Sequence, residues 1–139
     1  RDLRMSRGLG DVYKRQSLTI HNFVNVARKL GIKKIHLSYP VFLKEAGNLT
    51  DFESVSTSIH KPEEALKAQE LGADFVFAGH VFATDCKKGL PPRGLDFLRD
   101  VVGAVDIPVY GIGGINEKNI EQIMECGAAG GCMMSGFMK

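Results

Sequence analysis

The sequence predicts an α/β protein built from parallel β/α units, in the manner of a (β/α)8 barrel. Three observations predict it. Strand-like and helix-like segments alternate along the chain with regular glycine and proline punctuation. Three times a helical stretch ends in glycine and feeds a strand, in ARKLGIKKIHLS, AQELGADFVFAG and IMECGAAGGCMMSG. Polar and glycine residues collect after the strand ends, at His60, Gly79-His80, Gly113-Gly114 and Ser135-Gly136, where a barrel keeps its site. A doubly wound sheet shares the alternation. The site-like strand ends favour the barrel, and GIGGIN is too short a match to a G-x-G-x-x-G turn.

LTIH (18–21) reads as a short strand, and Phe23, Val26, Ala27 and Leu30 recur at helical spacing before Gly31. KKIHLS is the second strand. The β-branched run SVSTSIH (54–60) stops before Lys61-Pro62. Pro62 suits a first helical turn, Glu63 and Glu64 suit the positive end of the helix dipole, and Gly72 suits the stop. ADFVFAG is continuously apolar, as a strand covered on both faces must be. In GLDFLRDVVGAV, Leu95, Leu98, Val101, Val102 and Val105 fall on one helical face. IPVYGIGG is the next strand with its loop. Asn116 can cap a helix with apolar positions Ile120, Ile123 and Met124 that ends at Gly127, and GGCMMSG is the last strand and turn.

With 44% hydrophobic residues among 139, the chain can bury a core, and no apolar run approaches the roughly 18 residues that span a bilayer. Residues 1–16, RDLRMSRGLGDVYKRQ, lack a period and carry five basic groups against two acidic ones. They read as a vector, adapter or assembly scar, with a native basic tail as the alternative, and the domain is expected over 17–139. Without them 13 basic groups face 14 acidic ones, so the net charge of +2 gives no reason to expect nucleic acid. Cys86, Cys126 and Cys132 are odd in number and form no C-x-x-C pair. They read as free thiols in a reducing, cytoplasmic setting.

GADFVFAGHVFATDCKKGLPPRGL, IPVYGIGGI and MMSG resemble the thiamine phosphate synthase/TenI family, within it the TenI-type thiazole tautomerases. The likeness runs from about Leu18 to Met138. It implies a (β/α)8 barrel of which the chain lacks the first two β/α units and the last helix, so that activity of these residues alone is in doubt. It also implies one of two reactions. The synthase joins a pyrimidine pyrophosphate to a thiazole phosphate carboxylate with magnesium held by aspartates. The tautomerase shifts a proton within that thiazole phosphate carboxylate, making the ring aromatic, and needs no metal.

Three positions bear on the choice. The usual synthase motif is G-P-V-F-x-T, and here His80 stands at the proline. Histidine titrates near neutrality and can give or take a proton, so His80 is the candidate general acid/base, in the role the tautomerases give that histidine. Where the synthases have N-D-R the chain has His21-Asn22-Phe23, a neutral amide in place of magnesium's hard oxygen ligand. SYPVFLKEAG (38–47) supplies no second metal aspartate. The expectation is therefore a metal-free thiazole tautomerase without a cofactor. Magnesium-dependent thiamine phosphate synthase is the alternative, and a non-catalytic binder of thiazole phosphate the third reading.

Gly113, Gly114, Met134, Ser135 and Gly136 are expected to cradle the phosphate through backbone N–H groups. Ser58 matches a family position near the ligand or caps the next helix. Thr84 and Lys87 match the family's T-x-x-K stretch, where the lysine would meet the carboxylate or phosphate. His21, Asn22 and Cys86 are candidate pocket positions, and His36 and His60 read as core or capping groups. The expected partner is the small thiazole phosphate carboxylate, with a homo-oligomer left open.

Overall fold

A computed structural model describes residues 19–82 and 92–132. Six strands, β1 (Thr19–His21), β2 (Lys34–Leu37), β3 (Ser54–Ile59), β4 (Phe75–Gly79), β5 (Val109–Ile112) and β6 (Gly130–Cys132), form one sheet in the order β1-β2-β3-β4-β5-β6. Every pairing is parallel, with registers such as Ile35↔Val55, Thr57↔Val76 and Ala78↔Gly111. Helices α1 (Val24–Leu30), α2 (Tyr39–Glu45), α3 (Pro62–Glu70), α4 (Gly94–Ala104) and α5 (Ile120–Glu125) make the crossovers. Sequential order with a helix between each successive pair of strands is the wall of a barrel, and the doubly wound alternative would reverse direction at its centre. The sheet is a curled half-barrel. Among the described residues no helix is long and apolar enough to cross a membrane.

The two-residue period of the strands sorts the side chains. Ile35, Leu37, Val55, Ile59, Val76, Ala78 and Val109 point at the helices and are buried. Against them pack Ala27 of α1, Phe42 of α2, Ala65 and Ala68 of α3, Leu98 and Val101 of α4, and Ile123 of α5. The other face carries His36, Ser56, Ser58, Phe75, Phe77 and Tyr110, of which only Ser56 is fully buried.

Most boundaries match the sequence reading. Gly31 (φ 73) and Gly72 (φ 101) stop α1 and α3 in the left-handed region, where a Cβ is unfavourable, and Pro62 opens α3. Three features differ. The short helix α2, with Pro40 in its first turn, has too few turns to show a period. Asn116 caps a turn ahead of α5, its Oδ1 accepting from Lys118 N (2.8 Å) and Asn119 N (3.1 Å), so the helix starts only at Ile120. Phe23, Val26 and Leu30 were expected on the buried face of α1, and Met124 on that of α5. They are 67%, 45%, 45% and 48% exposed, because among the described residues α1 and α5 stand at the two ends of the row of helices, flanked on one side only.

Asp74 fixes where β3 and β4 begin. Its Oδ2 accepts from Val55 N at 2.7 Å, and its own N donates to Val55 O at 2.7 Å. Asp74→Ala removes a charged acceptor from a strand-edge amide and is expected to lower stability by about 1–2 kcal/mol. The measurement is the urea midpoint; an unshifted midpoint would show that water replaces the carboxylate without loss.

Candidate active site

The ends of β1 and β2 are joined through Asn22. Its N donates to His36 O (2.8 Å) and its Oδ1 accepts from Ser38 N (2.8 Å), at φ 64, a left-handed conformation that short amide side chains tolerate. The amide is therefore committed to the backbone. Beside it His21 is exposed, its ring centroid 5.0 Å from that of His36.

His36 sits between two hydroxyls, with Ser56 Oγ 2.8 Å from Nδ1 and Ser58 Oγ 2.9 Å from Nε2. In register, Ser56 lies opposite His36, and Ser58 follows two residues later on the same face. Ser58 thus holds His36 and does not cap α3, whose start makes no side-chain cap bond of its own. Phe77 meets His36 edge-on at 5.1 Å, and Phe75 and Tyr110 extend the row. Burial, and secondarily the charge of His21, lower the His36 pKa to about 4. Because the folded value lies below the ordinary 6.5, the unfolded chain takes up more protons between these two pH values. The contribution of His36 is fully present above about pH 6.5 and is lost as pH falls towards about 4. Urea titrations across that window should show the wild type losing more stability than His36→Gln; parallel curves would overturn this.

At the end of β3, His60 is exposed and uses Nδ1 on Gly79 O at 2.9 Å, while its backbone N donates to Glu64 Oε1 at 2.8 Å. A carbonyl only accepts, so Nδ1 carries the proton. Glu64, the third residue of α3, reaches back past the N-cap Lys61 to the His60 backbone, a contact the sequence does not signal because no Ser, Thr, Asp or Asn stands at the cap.

His80 follows β4. It is 7% exposed, and its Nε2 is buried without a hydrogen-bond partner among the described residues. Its Cα and Cβ lie against Gly113, where an added Cβ would come within 2.3 Å of His80 Cβ. Gly113 (φ 103) and Gly114 (φ 68) form the turn after β5, and Asn119 Nδ2 donates to Gly114 O at 2.9 Å.

A cavity of about 560 Å³ opens at these strand ends. His21, Asn22, His36, Ser58 and His60 line it with Ile112, joined by Tyr39 and Glu64, which the sequence reading did not mark. His80 is outside this lining. Thr84, Cys86, Lys87, Met134, Ser135 and Gly136 lie outside the described residues. Among the described residues Glu64 is the one carboxylate on the cavity wall, and these residues contain no group of three metal-binding side chains. Imidazoles, hydroxyls and an engaged amide do not fit magnesium, which takes hard, anionic oxygens.

A family model described as thiamine monophosphate synthase matches residues 8–137. The chain belongs to that family. Thiamine-phosphate synthase of Pyrococcus horikoshii is 42% identical over 84 residues, 60% of this chain and 41% of its own length. The Syntrophomonas wolfei thiamine-phosphate synthase is 35% identical over 124 residues, 87% of this chain and 59% of its own. The solved thiamine phosphate pyrophosphorylase of Pyrococcus furiosus superposes with TM-score 0.69 at 29% identity, over 90% of this chain and 60% of that one. The chain therefore spans about half the length of these thiamine monophosphate synthase relatives. Their names back the synthase alternative better than the isomerase expected from His80.

Proposed function

We propose that the complete barrel acts in thiamine biosynthesis on a thiazole phosphate, joining it to a pyrimidine pyrophosphate. Kinship carries this reading: the named relatives above, matched over 60% and 87% of the chain, are thiamine-phosphate synthases. What supports it in the fold is the left-handed Gly113-Gly114 turn, whose backbone can approach a phosphate closely, beside a cavity walled by aromatic and hydroxyl groups. The described residues hold no group of three His, Cys, Asp or Glu side chains that could bind magnesium.

One observation favours a second reading, the thiazole tautomerase. The strand ends that would carry metal aspartates present His21-Asn22 and Ser38, and the residue after β4 is a histidine whose buried Nε2 has no partner among the described residues. Such a group can take the proton from the ring carbon bearing the carboxylate and return it to the exocyclic carbon, with no metal. One assay decides between them. The complete barrel receives the dihydrothiazole phosphate carboxylate, with and without pyrimidine pyrophosphate and magnesium, and both products are followed. Thiamine phosphate formation at enzymatic rate supports the synthase. Aromatic thiazole alone, formed in the presence of a chelator, replaces that reading with the tautomerase, and binding without turnover leaves a non-catalytic carrier.

A further inference from the structure

We propose that His60 is a positioning residue that holds the Gly79-His80 segment, and through it the Gly113 turn, in working geometry. The inference rests on the strand-end face being the site, and not on which of the two reactions occurs there. The β3–β4 ladder runs to the pair Ile59↔Ala78. One residue further on, the link between the two strands is a side chain, His60 Nδ1 donating to Gly79 O. That carbonyl belongs to the peptide leading into His80. The remaining restraints on the segment are main chain: Arg93 N to His80 O (3.0 Å), Val81 N to Ile112 O (2.9 Å) and Phe82 N to Gly113 O (3.0 Å). Among the described residues His60 is thus the one side chain hydrogen-bonded to this backbone.

The effect passes on by contact. His80 Cα and Cβ pack on Gly113 with no room for even a methyl group between them. A shift of the Gly79 carbonyl displaces the His80 ring and the glycine turn together. Glu64 supports the arrangement from the other side, because its bond to the His60 backbone N fixes the residue that carries the imidazole. Misplacing a group by about 1 Å at a reacting centre can cost on the order of 100-fold in rate.

The test uses the complete barrel with three variants. His60→Phe keeps the ring's shape and removes the donor. His60→Asn restores an N–H close to the position of Nδ1. His80→Gln reports separately on the chemistry of that ring. The expected result is a fall in kcat of about 10- to 100-fold for His60→Phe with KM within about twofold. The His80 imidazole ¹⁵N resonances should move in the same variant, and His60→Asn should recover both most of kcat and the wild-type resonances. Unmoved His80 resonances in His60→Phe overturn the proposal, as does failure of His60→Asn to rescue, which would make His60 an acid or base in its own right. The resonances are read without turnover. A normal rate in His80→Gln therefore removes proton transfer from His80 and leaves the positioning test intact.

Discussion

Under the tautomerase reading, His80→Gln in the complete barrel is expected to abolish the thiazole proton shift while leaving binding of the aromatic thiazole phosphate nearly unchanged. Glutamine can occupy the space and keep a polar tip, but it cannot titrate. The loss should therefore approach the roughly 10²- to 10⁴-fold that a positioned acid/base contributes. The structural basis is an imidazole only 7% exposed whose Nε2 has no partner among the described residues. A buried polar atom left unpaired carries a cost, and a nitrogen kept for a transient proton is one reason for a fold to bear it. Thiamine phosphate formation should suffer much less, because the family's usual motif places proline at this position. Turnover of the dihydrothiazole near the wild-type rate would remove His80 from the chemistry.

Gly113→Ala is expected to be the most damaging single-methyl change at the site. Its φ of 103 is a conformation that L-residues adopt only under strain, and the new Cβ would lie 2.3 Å from His80 Cβ and 2.7 Å from its Cα. The backbone strain alone costs about 1–3 kcal/mol, and overpacking against main-chain atoms adds about 1–3 kcal/mol. The obstacle is a Cα and the Cβ attached to it, not the far end of a flexible chain, so it cannot be relieved by a change of rotamer. Denaturant midpoint and affinity for a thiazole phosphate should fall together. A variant with wild-type stability and affinity would mean that the turn moves freely and does not hold the phosphate.

The architecture was legible in the sequence because it depends on local signals. Glycine after three of the helical runs, Pro62 at a helix start and the short apolar or β-branched strand runs are properties of a few adjacent residues, and they placed four of the five crossover helices and all six strands. Asn116 was correctly seen as a capping residue, but the cap serves a turn. Its side chain reaches two and three residues ahead, which the sequence cannot separate from the first turn of a helix. The exposure of Phe23, Val26 and Leu30 was not legible, since periodicity tells which residues share a face and not whether a neighbour covers it.

For the site, reading along the chain found strand ends and glycine turns and missed partnerships across strands. In the sequence His36 reads as a core or capping group, yet it meets two hydroxyls from the adjacent strand and faces the cavity. In the sequence Ser58 fits a ligand contact or a helix cap, and neither implies that its hydroxyl holds an imidazole 22 residues earlier. The parallel register decides these contacts, and it is fixed only when the strands pair. Asn22 shows the limit of motif comparison. Its identity suggested a lost metal ligand, whereas its hydrogen bonds show a tie between neighbouring strand ends.

The sequential strand order has a consequence for how the molecule comes apart. Packing runs between elements that are neighbours along the sheet, and among the described residues β1 and β6 are three-residue rim strands while β3 and β4 lie between longer partners. Such an array behaves like a row of coupled repeats whose terms are nearest-neighbour. Opening should therefore begin at the two rims and advance inward, as a zipper does from its ends. Amide exchange would show protection highest at Val76 and Ala78 and falling stepwise towards Ile20 and Gly131; uniform protection would mean that the array melts as one unit.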